Sequence, residues 1–331
     1  MHDAIEFILN GCSVRVEDVS PNTTLLEYLR GAGLTGAKEG CAEGDCGACT
    51  VAILERDAQG RLGYRAINSC LVPLCLMAGR EVVSVEGVAR QDKLHPVQAR
   101  MVERHGSQCG YCTPGFVMSL FEGYYRGDIR QPDQLDDQLC GNLCRCTGYR
   151  PIRDAALRAF PERHRKNGQD SFAERLEKPA AGLGEVEYES AGEQFFRPAS
   201  LGGLLQLVAQ CPDAKLIAGA TELGLDITKR FKKCPTLISL EAVPELKEIR
   251  LADSEWRIGA AVTLTRIEEK MAGEFTALAD MLRVFGSRQI RNRATMGGNL
   301  VTASPIGDSA PLLLALDARV VLASLECGAG V

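Results

Sequence analysis

The sequence predicts a multidomain α+β protein in three parts. Three observations carry that prediction. Short apolar strands and tight turns occupy residues 1–88, four helical segments with proline start signals fill 89–164, and strands alternate with helices from 193 to 331. At 331 residues the chain is long enough for two or three domains of roughly 100–200 residues each.

In order, AIEFIL (4–9) and SVRVEDV (13–19) form a hairpin about Asn10-Gly11, a favoured two-residue turn. Thr24 and Glu27 make a capping box that opens a helix in TLLEYLRGAG (24–33). TVAIL (50–54) and REVVSVEGV (80–88) are further strands. In the middle part, HPVQARMVERHG has Pro96 in its first turn, and CTPGFVMSLFEGYYRG takes Thr113 as N-cap with Pro114 at N1. PDQLDDQLCGN is a short third helix stopped by Gly141, and CTGYRPIRDAALRAF starts from a Thr147 cap. The polar stretch 165–192 reads as a linker. Beyond it KLIAG, TLISL, WRIGAAVTL and ARVVLASL are strands, and SLGGLLQLVAQ and EEKMAGEFTALADMLRVFG are helices.

Composition narrows the function. The net charge of −5 offers no basic field for nucleic acid. The N-terminus lacks the basic region and long apolar run of a secretory signal, and no stretch approaches the ~18 apolar residues of a membrane span. A cytoplasmic protein without membrane or nucleic-acid partners is the default expectation. Against it the 14 cysteines stand out, because a reducing compartment points them to metal or redox chemistry. Eight fall in two groups of four. The other six (Cys12, Cys75, Cys140, Cys211, Cys234 and Cys327) read as small buried hydrophobes.

Cys41, Cys46 and Cys49 stand as C-x4-C-x2-C, and Cys70 follows at a distance, the ligand spacing of a plant-type [2Fe–2S] ferredoxin. Gly40, Gly44 and Gly47 let the loop wrap closely and turn N–H groups toward sulfur. Structural zinc is the competing reading, but zinc favours two C-x2–4-C pairs over three cysteines in one loop. A literal G-x-G-x-x-G, GAGLTG (31–36), follows a helix instead of a strand, so its glycines read as a helix stop and not as a dinucleotide loop.

The second group, Cys109, Cys112, Cys144 and Cys146, comes as one C-x-x-C and one C-x-C at two expected helix starts. Positive charge at a helix N-terminus favours anions and lowers thiolate pKa values, so two facing starts would make a socket for an anionic cluster. Spacing alone leaves zinc open for this set. In the third part, RATMGGNLVTASPIGD (293–308) reads as a phosphate-binding loop, with a pair of tight turns as the alternative.

Three strings, TGAKEGCAEGDCGACTV, HGSQCGYCTPGF and GNLCRCTGYRPI, resemble the molybdenum hydroxylase (xanthine oxidase) family across residues 1–160. That resemblance implies a plant-type ferredoxin (β-grasp-like) domain over 1–88, a four-helix [2Fe–2S] bundle over 89–164, and an α+β non-Rossmann FAD-binding domain over 193–331. It further implies that the helical cluster lies nearer the molybdenum and the plant-type cluster nearer the flavin. Gln108 and Cys146 would then border a molybdopterin held by a partner chain. LIAGATEL (216–223) and 293–308 look like the family's FAD loops. By resemblance, Leu216, Ile217, Ala218, Gly219, Ala220, Thr221, Glu222 and Leu223 would hug the FAD diphosphate, with Phe285 near the isoalloxazine. Thr295, Met296, Gly297, Gly298 and Asn299 would form the second phosphate loop, and Asp308 would bind the ribitol or adenosine end. Ala220 departs from the glycine or asparagine common in relatives. The resemblance stops at VVLASLECGAGV, where relatives continue, so the FAD domain is expected to be truncated.

Fused iron–sulfur and FAD regions favour the xanthine dehydrogenase branch over aldehyde or CO dehydrogenase types. The implied role is electron transfer from a partner's molybdenum centre through two [2Fe–2S] clusters and FAD to NAD+, in oxidation of hypoxanthine or xanthine to urate. No residue of this chain would be catalytic in the hydroxylation. The implied assembly is a heterotetramer of two small and two molybdenum-binding large chains. An electron carrier without turnover of its own and a zinc-stapled interaction module are the readings from other classes.

Overall fold

The computed structural model describes residues 4–90, 93–164, 170–271, 273–326 and 328–330. Asn10 and Gly11 both take positive φ, 54° and 86°, the geometry that suits a two-residue hairpin turn. They join β1 (Ile5–Leu9) to β2 (Cys12–Val16). α1 (Leu25–Gly31) opens on the expected capping box, with Thr24 N donating to Glu27 at 2.7 Å and Glu27 N to Thr24 Oγ1 at 3.1 Å. Gly33 (φ 83°) follows its end, so the GAGLTG glycines do stop a helix.

β3 (Thr50–Arg56), β4 (Leu62–Asn68) and β5 (Glu81–Val83) complete a five-stranded sheet in the order β2-β1-β5-β3-β4. Both faces of β3 are covered. Val51 and Ile53 enter the core beneath α1, while Ala52 and Leu54 pack toward the helical domain. Hence its unbroken apolar run. β4 is absent from the sequence reading because Arg65 interrupts it; that arginine is buried and paired with Glu269 at 2.6 Å. The strand expected over 80–88 ends at Val83, where a short turn (Val85–Gly87) packs against the Asn10 side chain.

The four expected helices are α2 (Pro96–Glu103), α3 (Thr113–Tyr125), α4 (Pro132–Leu139) and α5 (Arg150–Ala159). They close on Val97, Phe116, Leu120, Ile152 and Ala156. Their caps differ from expectation. Cys112, not Thr113, precedes α3, and the Thr113 hydroxyl donates to Ser107 Oγ at 2.7 Å. Tyr149 (φ 67°) precedes α5, because the Thr147 hydroxyl is turned to Cys144 Sγ at 3.2 Å.

The expected linker 165–192 contains regular structure. Residues 165–169 lie outside the described residues, but Asp170 caps α6 (Ser171–Leu176), and Phe172 buries against Tyr64 and Phe121. β6 (Val186–Ser190) then begins the third part. Two aromatic rings can anchor a segment whose overall polarity reads as linker.

β7 (Glu193–Arg197), α7 (Leu201–Gln210), β8 (Lys215–Ile217), α8 (Leu223–Thr228) and β9 (Thr236–Ser239) build a sheet ordered β6-β7-β9-β8. The hairpin β10 (Ile249–Ala252) and β11 (Glu255–Ile258) leads to α9 (Leu264–Met271) and α10 (Thr276–Val284). These are two helices where one was expected, separated about Gly273. α11 (Arg288–Arg291), α12 (Met296–Thr302) and α13 (Ser309–Ala315) precede the pair β12 (Leu322–Ser324) and β13 (Gly328–Gly330). The first and third parts share one core: Tyr188, Phe195, Ile217 and Leu237 pack with Ile5, Leu25 and Ile53.

Of the six scattered cysteines, Cys75 and Cys234 are buried as expected. Cys12 and Cys140 are exposed and Cys211 is half-buried, which corrects that expectation; Cys327 lies outside the described residues. Among the described residues no helix is long and apolar enough to cross a membrane.

Candidate functional site

Cys41, Cys46 and Cys49 lie on the loop between α1 and β3, and Cys70 lies just after β4. The four sulfurs divide into two pairs. Cys49 and Cys70 are buried 3.3 Å apart, while the half-buried Cys41 and Cys46 thiols share a hydrogen bond. N–H groups face the sulfurs: Cys46 N reaches Cys41 Sγ at 3.3 Å, Glu43 N at 3.5 Å, and Asn68 Nδ2 reaches Cys49 Sγ at 3.7 Å. A Cβ on Gly40 would stand 2.7 Å from Cys46 Sγ, so the glycine is what lets the loop close on the sulfur. The hydrogen bond from Cys70 pulls the Cys49 thiol down to about 7 against its burial, and the same bond pushes Cys70 up.

The second group pairs the same way, Cys112 with Cys144 and Cys109 with Cys146. Only one pair of cysteines stands directly before a helix, since Cys144 and Cys146 occupy a loop that ends at Tyr149. The expected two-helix socket is therefore half present. Its predicted effect on acidity is also overruled at Cys112, where burial pushes the thiol up to about 12. Cys109, Cys146 and Gln108 are exposed. Tyr111 and Leu143 beside them are 48% and 53% exposed, so this group faces outward over apolar surface.

Two sulfur pairs per group suit a binuclear core, in which each iron takes two cysteine ligands and N–H donors offset the negative charge. Among the described residues no three His, Cys, Asp or Glu side chains converge as ligands of one ion would.

The two groups meet along a backbone seam. Leu143 N donates to Cys46 O at 3.0 Å, and Asn142 Nδ2 to Gly47 O at 3.2 Å. Tyr111 Oη donates to Glu39 O beside the first loop. On its other side the first loop is held by the third part, with Lys229 Nζ donating to Cys41 O at 2.9 Å and Thr228 Oγ1 to Ala42 O at 2.8 Å. α8, which ends at Thr228 with Lys229 as its C-cap, directly follows the turn 218–222.

The structure brings the glycine-containing segments at 216–223 and 293–299 together. A Cβ on Gly219 would meet Arg293 O at 1.8 Å, so only glycine permits that approach. Thr295 to Asn299, expected as a loop, instead form the cap and first turn of α12, with Gly298 N donating to Thr295 Oγ1 at 3.0 Å. Phe285 ends α10, half-buried in the core that includes Leu282 and Ile290. Asp308 is exposed ahead of α13, and its side chain makes no capping bond. Gly219 and Ala220 are buried, yet their N–H groups find no protein acceptor among the described residues. Buried orphan donors are rare, and consecutive ones fit an anionic phosphate group.

Ala220 sits at φ 66°, which accounts for a preference for glycine or asparagine at such a position. Relief of about 1–2 kcal/mol in Ala220→Gly is offset by a lost buried methyl, ~0.8 kcal/mol, and by ~0.5–1 kcal/mol of added chain entropy. The variant is expected to melt within about two degrees of the wild type. A large rise in its melting midpoint would show uncompensated strain.

Sequence reasoning missed the residues that dock the third part on the first two. Glu122 is fully buried and receives donors from Ala66, Gln138, Arg288 and Asn292. Arg291 pairs with Asp137, and Arg293 with Glu241, at 2.5 and 2.8 Å. The available signal was a lone glutamate inside the apolar run FVMSLFEGYY and three arginines within RQIRNR.

Three family models match successive stretches of the chain. Residues 7–75 match a 2Fe-2S iron-sulfur cluster binding domain, 84–157 a [2Fe-2S] binding domain, and 188–328 the FAD binding domain in molybdopterin dehydrogenase. The chain is similar to xanthine dehydrogenase from Drosophila pseudoobscura pseudoobscura, 37% identical over 97% of this chain and 28% of that protein. Xanthine dehydrogenase 2 from Arabidopsis thaliana is 36% identical over 95% of this chain and 28% of its own length. The chain thus spans 28% of the length of these curated relatives. Among solved structures, quinoline 2-oxidoreductase from Pseudomonas putida 86 is 32% identical, covering 50% of this chain and 98% of that one, with a TM-score of 0.43.

Proposed function

Since this chain belongs to the molybdenum hydroxylase family, with two 2Fe-2S domains and an FAD-binding domain, we propose that it is the electron-transfer part of a xanthine dehydrogenase. When bound, two [2Fe–2S] clusters and FAD would supply a relay of single electrons between a partner's molybdenum centre and NAD+, in oxidation of hypoxanthine or xanthine to urate. The protein's own part is to hold and space those groups.

One observation carries this reading: the linear order of the sites. The group Cys109, Cys112, Cys144 and Cys146, two of them exposed, abuts the more deeply buried group Cys41, Cys46, Cys49 and Cys70 through the Leu143–Cys46 hydrogen bond. That second group abuts the C-terminal end of α8 through Lys229 and Thr228, and α8 in turn follows the turn 218–222. The outward group, with Gln108, suits docking of a molybdopterin-bearing partner, and the inward order leads to the FAD loop. Arg293 and Gly219 hold that loop against 293–299, with Phe285 and Asp308 assigned to the remainder of the flavin. The branch is supported by the named relatives, while aldehyde- and CO-oxidising relatives remain the competing substrate classes.

Visible and EPR spectra of the purified chain are expected to show two distinct [2Fe–2S] signals together with FAD. Cys144→Ser should remove one signal and spare the other. Loss of both would refute the four-and-four grouping. Bleaching of the flavin by NADH tests the acceptor, and turnover of purines against aldehydes in the complex with a molybdenum-bearing partner tests the substrate.

A further inference from the structure

We propose that Arg293 is a positioning residue that aims the backbone donors of the flavin loop, and that it does so from a buried charge ring shared with the ferredoxin domain. The inference rests on the assignment of FAD to residues 216–223.

The Arg293 side chain is 1% exposed. Its Nε donates to Gly219 O at 3.4 Å and its Nη2 to Ala218 O at 3.3 Å, so the guanidinium grips two successive carbonyls of the turn. The described peptides are all trans, and in a planar trans peptide the N–H points opposite to the C=O. Drawing the carbonyls of Ala218 and Gly219 toward Arg293 therefore drives the N–H groups of Gly219 and Ala220 the other way. Those are the two buried donors without a protein acceptor among the described residues. One arginine thus turns both donors outward, where an anionic diphosphate can take them.

What holds the guanidinium is itself shared between domains. Arg293 Nη1 lies 2.8 Å from Glu241 Oε1 and 3.8 Å from Glu55 Oε1. Arg80 Nη2 meets the same Glu241 oxygen at 2.7 Å, and its Nη1 meets Glu55. Glu55 is on β3 and Arg80 stands just before β5, both in the ferredoxin domain, whereas Glu241 follows β9. The ring is nearly dry, with Arg80 at 4% and Glu241 at 9% side-chain exposure, so its charges are screened little. The guanidinium is thus held from within the third part by Glu241, and Glu241 is in turn tied to the ferredoxin domain by Arg80, with Glu55 nearby.

The test uses the full chain stripped of FAD and titrated back with FAD. Arg293→Lys keeps the charge against Glu241 but lacks the planar fork that reaches two carbonyls. The expected result is an FAD dissociation constant raised roughly tenfold or more, with both iron–sulfur EPR signals and the melting midpoint retained. Hydrogen exchange supplies the readout a merely structural role would not move. In the wild type FAD should protect the amides of Gly219 and Ala220, and in the variant that protection should fall. Unchanged affinity and protection in Arg293→Lys would overturn the positioning role. Wild-type FAD binding without protection at 219 and 220 would instead overturn the loop assignment beneath it. Should Arg293→Lys lose its iron–sulfur signals, Glu241→Gln decides: a raised dissociation constant supports the ring, and an unchanged one refutes it.

Discussion

Glu122→Ala is expected to destabilise the three-domain junction by about 3–5 kcal/mol. Glu122 has no exposed surface, and its carboxylate is shared by all three parts of the chain. Ala66 N of β4 donates at 3.2 Å, Gln138 Nε2 of α4 at 3.0 Å, and Arg288 Nε and Asn292 Nδ2 at 3.3 and 3.1 Å. Removing the carboxylate strands those donors and leaves the Arg288 charge, 3% exposed, without its buried partner. Glu268 and Glu269 still face Arg288 at 3.4 and 3.7 Å, which places the cost toward the lower end of that range. The check is denaturation followed separately by cluster absorbance and flavin fluorescence, because domains can part without a single two-state transition. Coincident wild-type-like curves would show that the junction closes without Glu122.

The same residue sets a pH dependence. Burial works against the Glu122 charge, but Arg288, Arg126 and Arg65 outweigh it and hold the carboxyl below its ordinary value. A group depressed in the folded state contributes stability that is fully present above its unfolded value, about 4.3, and is lost as pH falls through the folded one. Glu122→Gln keeps the shape and has nothing to titrate. Acidification below about pH 4.3 should therefore weaken the wild type more steeply than the variant, and equal slopes would assign the acid limb to other carboxylates.

Local chemistry was legible in the sequence and remote chemistry was not. Asn10-Gly11 and the Thr24–Glu27 box act within four residues, and both form as read. The cysteine groups were legible because ligand spacing is itself a local constraint, although the division into pairs depends on how the loops fold. Arg65 hid β4, since a buried arginine looks like a surface residue until its partner Glu269 is placed. Glu122 and Arg288 lie 166 residues apart, and no periodicity joins them. Yet a charge flanked by buried Val117, Leu120, Phe121 and Tyr124 has no solvent to face, which alone requires a remote counter-ion. The α12 helix was missed because MGGN contains two poor helix formers, while the Thr295 cap that starts it was already visible.

Gly47→Ala should cost about 2–5 kcal/mol, from roughly 1–2 for a left-handed alanine and 1–3 for overpacking. Gly47 has φ 67°, and a Cβ there would lie 2.2 Å from Gly141 O and 2.5 Å from Asn142 Nδ2. A backbone carbonyl cannot rotate away as a side chain can, so the segment 141–143 must shift. That shift pulls Leu143 N off Cys46 O and Asn142 Nδ2 off Gly47 O, the two bonds that tie one thiol group to the other. Each group keeps its own four sulfurs, since neither pairing passes through residue 47. The variant is therefore expected to retain both iron–sulfur EPR signals while the magnetic interaction between them weakens and the melting midpoint falls. Loss of the first signal alone would locate the damage in the Cys41–Cys49 loop. Wild-type melting with undiminished interaction would mean that the seam accommodates a methyl group, and the close approach of the two sites would then need a cause other than this glycine.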